Sequence, residues 1–421
     1  MKRVLIVAAF FPPITGGGVY RTIGFARHLP ALGFEPVVLT GPNAGAEGAD
    51  PGLSATVAAL EVVRAGHASP ISAARSRSTR SAWVTALARA ASWVAVPDSY
   101  AGWRRDAVRA GLERIARSDI AAIYSTSPPD TDHLVALDLH RASGLPWVAD
   151  FRDPWIGLGY RNPPTPWHRA KHTRLLQDVL RQATRIVAAT EGTGRWLAGV
   201  EPSIEARSSV ISNGFEDEEW RAVSPHRFDR FTLLHAGRLS DDRTFEPFAR
   251  GLEAFLSRDP GRRAAVQCLL LGPHDAAQAR VATRPALAGV VRFEGNRPHA
   301  ETLAMEAGAD VLLLVKSRSA RYRDLVPGKL YEYIGAGRPV LAIAPEGPAA
   351  DLVRRLGLGW VADPERPEQI AAALEEAWAR RASPASGGAG GGATGIAPTD
   401  RESFTRRRLT ERLARTLSEI T

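Results

Sequence analysis

Three short segments of this chain collect residues suited to holding negative charge. In HAGRLSDDRTFEP, Arg238 closes an apolar run and Arg243 follows five residues later, where a helix is expected to start. Guanidinium forks at the carboxyl end of a parallel strand sit where open α/β sheets bind ligands, and they match phosphate oxygens bidentately. The competing reading is a pair of solvated arginines flanking Asp241 and Asp242. In RYRDLVPGKLYEYIGAGRPVLAIA, Pro327 and Gly328 mark a loop entering a helix, so that Gly328, Lys329 and Leu330 open a first turn whose amides and ammonium would attract an anion. Asp324 and Glu332 lie eight residues apart, and Glu332, one turn into the helix, can reach hydroxyls or serve as an ordinary helix residue. In FFPPITGGG, the glycines Gly16, Gly17 and Gly18 stand between an apolar run and a helical stretch. Lacking Cβ atoms, they let a backbone approach a phosphate or sugar, or they form a structural turn.

The elements that must position these residues alternate. Val4 to Ala9 is a continuous apolar run, as expected of a parallel strand covered on both faces, and Tyr20 to Leu32 reads as the following helix. Further strands are expected at 36–40, 121–127, 146–151, 185–190 and 209–214, with a helix over 133–143. After a polar stretch the pattern restarts with FTLLHAGR at 231–238, continues through AVQCLLLG, VVRFEG, DVLLLV and PVLAIA, and interleaves helices. The expected organisation is an α/β domain over 1–214, a linker over 215–230, a second α/β domain over 231–382, a flexible Gly-rich loop over 383–400 and a final helix over 401–421. That helix carries Phe404, Leu409, Leu413 and Leu417 at helical spacing and should pack back toward the first domain.

Composition narrows the class. The chain has 421 residues, 44% of them hydrophobic and 24% charged, with 54 Lys and Arg against 45 Asp and Glu for a formal charge of +9. One cysteine, Cys268, excludes an intramolecular disulfide and a multi-cysteine zinc site, and it suits a reducing compartment. The amino-terminal apolar run is broken by Pro12 and Pro13 and reads as a buried strand rather than a signal peptide. No run approaches the roughly 18 apolar residues of a membrane span, so a soluble or peripheral protein is expected, with the cytoplasm the default given the single cysteine. Arg75, Arg77, Arg80, Arg89, Arg104, Arg105 and Arg109 interleave with Trp83, Trp93 and Trp103. That pattern suits either a peripheral contact with anionic lipid on the inner face of a membrane or a solvated helical face. No nucleic-acid reader motif accompanies it.

Together FPPITGGG, YSTSPPDTDH with PWVADFRDPW, VISNGF and GKLYEYIGAGRPVLA resemble a retaining GT-B glycosyltransferase of family four, the glycosyl transferases group 1 type, over nearly the whole chain. The resemblance implies two doubly wound Rossmann-like domains facing across a cleft, the second binding a nucleoside diphosphate sugar of UDP or GDP type. It implies no cofactor and no metal, and a small-molecule or lipid-linked acceptor in cell-surface glycan or secondary-metabolite synthesis. The family's diphosphate-holding Arg and Lys fall on Arg238 and Arg243, the second a departure from Lys. Its paired glutamates fall on Asp324 and Glu332, the first again a departure. A histidine found in many relatives is replaced by the FRDPW segment, which puts Arg152 and Asp153 at the acceptor side with the glycine loop. His133, after TSPP, either faces the cleft or is structural. The same fold also hosts nucleotide-sugar hydrolases and epimerases, and a non-catalytic nucleotide-sugar-binding partner is a further alternative.

Overall fold

Strands rich in Val, Leu and Ile with no polar face need cover on both sides, and this chain supplies it twice. The computed structural model describes residues 1–14, 17–42, 51–66, 95–117, 119–157, 163–240, 243–319, 322–381 and 398–421. They form two compact units, Met1–Asn213 with Arg406–Thr421, and Gly214–Thr405.

The first unit is built on a seven-stranded sheet of β1 (Lys2–Val7), β2 (Phe34–Thr40), β3 (Glu61–Arg64), β4 (Ile120–Ser127), β5 (Trp147–Phe151), β6 (Arg185–Ala188) and β7 (Ser208–Val210). All neighbours pair in parallel in the order β3-β2-β1-β4-β5-β6-β7, so the strand order reverses between β1 and β4. Helix α1 (Gly17–His28) follows β1 and stops where Pro30 imposes a 3-10 turn over Pro30–Leu32, short of the single helix expected through Leu32. Helix α2 (Arg104–Ile115) packs on α3 (Thr131–Ser143), which ends at Gly144 with φ of 71°. Helix α4 (Pro166–Gln182) starts with Thr165 accepting from the His168 amide and with Pro166 in its first turn.

The second unit carries a six-stranded parallel sheet, β8 (Phe231–Ala236), β9 (Val266–Leu271), β10 (Val291–Gly295), β11 (Val311–Val315), β12 (Val340–Ile343) and β13 (Gly359–Ala362). Its order is β10-β9-β8-β11-β12-β13, again reversing beside the first strand of the unit. Helices α5 (Glu246–Ser257) and α8 (Pro367–Arg381) cover one face and approach closely at Gly251, where a Cβ would fall 2.5 Å from Ile370. Helices α6 (His299–Gly308) and α7 (Gly328–Ala336) pack against each other. The last helix, α9 (Arg406–Ser418), belongs to the first unit, where Leu409, Leu413 and Leu417 join Val19 and Ile23 of α1 in one buried cluster.

The strands expected at 121–127, 146–151 and 185–190 appear as β4, β5 and β6, while β7 ends at Val210 because Ile211 to Asn213 turn to meet Arg21. Of the basic Trp/Arg segment, Arg75 to Trp93 lie outside the described residues, as do Gly16, Asp241, Asp242 and the Gly-rich stretch through 397. Trp103 is buried and donates to the Ala65 carbonyl, Arg104 pairs with both Asp138 oxygens at 2.7 Å, and Arg105 and Arg109 are exposed. Among the described residues no helix is long and apolar enough to cross a membrane.

Candidate active site

In the second unit the reversal of strand order leaves the carboxyl ends of β8 and β11 as the edge where a ligand can enter. β8 runs out at Ala236 into Gly237, whose φ of 154° favours glycine. Gly272, just past β9, has φ of 109°, and a Cβ there would lie 2.6 Å from the Gly237 carbonyl oxygen. Two glycines thus let two strand ends touch and bring Arg238 out to the surface. The Ser240 and Arg243 amides and carbonyls exchange hydrogen bonds at 2.8 and 3.3 Å, which holds Arg243 close to the end of β8 that Arg238 follows. Both arginines are exposed, and neither has an ion-pair partner among the described residues.

A buried polar layer joins β8 to β11 and α7. His235 Nδ1 is 2.9 Å from the Leu313 carbonyl oxygen; as donor there it leaves Nε2 with a bare lone pair, and Nε2 has no hydrogen-bond partner. Burial lowers the His235 pKa to about 4, aided by the nearby positive charges of Lys329 and Arg243, so the ring is neutral at pH 7. The Tyr333 hydroxyl accepts from the Ala236 amide at 3.2 Å and donates to the same Leu313 carbonyl at 3.3 Å, tying α7 to the ends of β8 and β11.

Helix α7 begins at Gly328 after Pro327 in extended conformation, with no side-chain cap. Uncapped first-turn amides and the helix dipole favour an anion at this end. Lys329 bonds Glu332 Oε2 at 2.6 Å and lies 3.6 Å from Glu306 Oε1 of α6. Burial works against the Lys329 charge, yet the two carboxylates hold its pKa above the ordinary lysine value. Gly328 and Asp324 are exposed, and Glu332 is half-buried. Leu330 points into the core and its amide is already donated to the Pro327 carbonyl at 3.0 Å, so the open amides of this turn belong to its neighbours. Lys316, one residue past β11, is buried; its Nζ donates to the Arg323 carbonyl at 2.5 Å, and burial lowers its pKa to about 8 against the pull of Asp324.

In the first unit the equivalent edge is formed by β1 and β4. Gly18, in the first turn of α1, is where Arg152 lies down: a Cβ there would fall 1.5 Å from the guanidinium. Arg152 Nε donates to the Ser127 carbonyl at 2.8 Å and its Nη2 to the Pro128 carbonyl, so the arginine braces the TSPP loop, with Asp153 half-buried beside it. Burial lowers the Arg152 pKa. Gly17 opens the same helix. His133 is fully buried, with Nδ1 2.8 Å from Ser125 Oγ and its ring 4.3 Å from that of Phe151, so it is part of the core of this unit.

Sequence reading missed the buried ion pair at the centre of this edge. Arg21 meets Asp150 with two hydrogen bonds of 2.8 Å, while Asp150 also accepts from Tyr124 at 2.6 Å and Thr126 at 3.0 Å. Arg21 further donates to the carbonyls of Ile211 at 2.8 Å and Ser212 at 2.6 Å. The available signal was Asp150 itself, an acid inside the apolar strand PWVADF. His235 within FTLLHAG and Lys316 directly after VLLLV gave similar signals in the second unit. Among the described residues no group of three His, Cys, Asp or Glu could hold a metal ion.

Residues 230–380, most of the second unit, match the sequence model of the family described as glycosyl transferases group 1. No curated protein matches the chain by sequence. Among solved structures, the chain is similar to HepE of Anabaena in complex with UDP and glucose, at 16% identity and a TM-score of 0.61 over 100% of both chains. It is also similar to a sucrose-phosphate synthase from Thermosynechococcus elongatus, at 16% identity and a TM-score of 0.60 over 100% of this chain and 95% of that one. A third is WaaG, a glycosyltransferase involved in lipopolysaccharide biosynthesis, at 15% identity and a TM-score of 0.57 over 100% and 99%. The two parallel-sheet units are those of the GT-B fold. With the segment 230–380 matching the glycosyl transferases group 1 model on that fold, the chain is a glycosyltransferase.

Proposed function

We propose that the chain moves a glycosyl group from a nucleoside diphosphate sugar, of UDP or GDP type, to a small-molecule or lipid-linked acceptor, with retention at the anomeric carbon. One observation carries the reading: Arg243 and Lys329, the latter at the uncapped start of α7, both act on the charge of His235 of β8, and the exposed Arg238 lies two residues past the end of that strand, all inside the segment that matches the family. A departing diphosphate needs its developing charge stabilised, and fixed cations and helix amides supply that with no reorganisation at the moment of reaction. In this reading Glu332 accepts from the ribose hydroxyls and Asp324 meets the donor sugar. On the first unit Gly16, Gly17 and Gly18 let the acceptor approach backbone, Asp153 orients its hydroxyl, and Arg152 holds the loop. The leaving phosphate takes the acceptor proton from the same face, which gives retention and requires no divalent ion. The setting is the cytoplasm, in cell-surface glycan or secondary-metabolite synthesis. HepE, of the same fold, was solved with UDP and glucose bound, which supports a nucleotide-sugar donor.

A thermal-shift panel of nucleotide sugars tests the reading, since a ligand bound only by the folded state stabilises by RT ln(1 + [L]/Kd). At a concentration of about 100 Kd the right donor should add about 2.7 kcal/mol. A panel of UDP, GDP, ADP and TDP sugars that leaves the melting temperature unmoved would overturn it.

A further inference from the structure

Glu306 of α6 is fully buried, and neither of its carboxylate oxygens has a hydrogen-bond partner. An ionised carboxylate in that position is costly unless a cation answers it. The cation is Lys329, whose Nζ stands 3.6 Å away and is itself bonded to Glu332 at 2.6 Å. One ammonium therefore serves two carboxylates, one buried and one reaching solvent. The other groups facing the cluster are Tyr333 on α7 and His299 at the head of α6, whose Nε2 is 3.3 Å from Glu219 Oε2. His235 of β8, whose own charge Lys329 opposes, completes the set.

If a diphosphate binds at Lys329, as the donor-site reading above requires, the ammonium must turn toward phosphate oxygens and serve its carboxylates less. Glu332 can be resolvated or can meet hydroxyls of the ligand. Glu306 is shut off from solvent, and its remaining way to shed an uncompensated charge is to bind a proton. We propose that Glu306 is a positioning residue for Lys329 that takes up one proton from solvent when a diphosphate engages the lysine, so that diphosphate affinity falls as pH rises. The step balances simply: the carboxylate and one solvent proton become the neutral acid, and no bond of the ligand changes.

The ionisation of the free protein is poised for this. Burial pushes the Glu306 carboxyl up to about 7, against the pull of Lys329 and with the push of Glu332. Below that value Glu306 is already neutral and affinity is flat with pH. Above it each binding event must draw a proton, so Kd rises by up to about tenfold per pH unit until the bound-state pKa is passed.

Isothermal titration with UDP-glucose, whose diphosphate diester does not itself titrate near neutrality, reads the proton directly when run at about pH 7.5 in buffers of different ionisation enthalpy. The protein should take up a substantial fraction of a proton per UDP-glucose bound. Glu306→Gln should take up none and bind with an affinity flat in pH, and Glu306→Met, which fills the same space, should behave alike. His299→Asn should keep the uptake, separating the histidine from Glu306. Uptake that persists in both Glu306 variants, or binding without uptake in the parent protein, overturns this inference and leaves the donor site standing. Where the panel selects another sugar the same titration is run with that sugar, and absence of binding by every UDP, GDP, ADP and TDP sugar overturns both.

Discussion

Replacing Asp150 with asparagine removes one charge from a pair that water does not reach. Arg21 and Asp150 are 4% and 0% exposed, and the two 2.8 Å bonds between them are the arginine's main compensation for burial. Deleting one partner of such a pair leaves the other charge uncompensated, at a cost of about 3–5 kcal/mol. For a unit of this size about 2–4 °C accompanies each kcal/mol, so the transition of the first unit should fall by roughly 6–20 °C in scanning calorimetry at neutral pH. The pH dependence has a definite sign. Burial alone would raise the Asp150 pKa, but Arg21, Tyr124 and Thr126 outweigh it and hold it below the ordinary value. Its stabilising contribution is therefore complete above the unfolded carboxylate pKa of about 4 and is lost as pH falls through the lower folded value. The gap between parent and Asp150→Asn should close in that acid window. Arg21→Met with Asp150→Leu should be milder than either single change, because an apolar pair owes no desolvation. A melting temperature for Asp150→Asn within about a degree of the parent would show that the pair does not hold this edge together.

Asp153→Asn should cut turnover at least about tenfold, or about 1.4 kcal/mol, with donor affinity nearly unchanged; a large drop in melting temperature with full activity in the folded fraction would make Asp153 structural. Glu332→Gln should discriminate less against 2′-deoxy nucleotides than the parent in competition binding, and a parent that ignores the 2′-hydroxyl would remove the ribose assignment. Turnover should survive exhaustive chelation, and activity restored by magnesium or manganese would contradict the proposed leaving-group chemistry.

The alternation of strands was legible because strands covered on both faces must be continuously apolar, as VLLLV and VQCLLL are, and because Gly and Pro punctuate their ends. β13 escaped notice: GWVA is four residues long and begins with a glycine whose φ is 148°. The helix Pro166–Gln182 was hidden by its many charged residues, since only His168, Leu176, Val179 and Leu180 of it are buried. The exposed arginines at 238 and 243 could be singled out by their place after a strand. Glu306 could not, because in HAETLAMEAGA it reads as a solvated helix acid, and only the packing of α6 against α7 buries it beside Lys329. Arg21 was equally silent, since its partner Asp150 lies 129 residues away. Buried charge pairs of this kind are made by topology, which brings the end of β5 beside α1, and local pattern carries no trace of the distance spanned.

The claim that the second unit grips a diphosphate is tested most directly by titrating UDP and GDP calorimetrically into the parent protein and into Arg238→Ala. A hydrogen bond to a charged group contributes about 1.5–3 kcal/mol. Loss of one from an exposed arginine, with the fold undisturbed, should weaken the preferred nucleoside diphosphate by roughly tenfold to 150-fold. Equal affinity in the two proteins would contradict the account, and the diphosphate site would have to be sought away from the β8 edge.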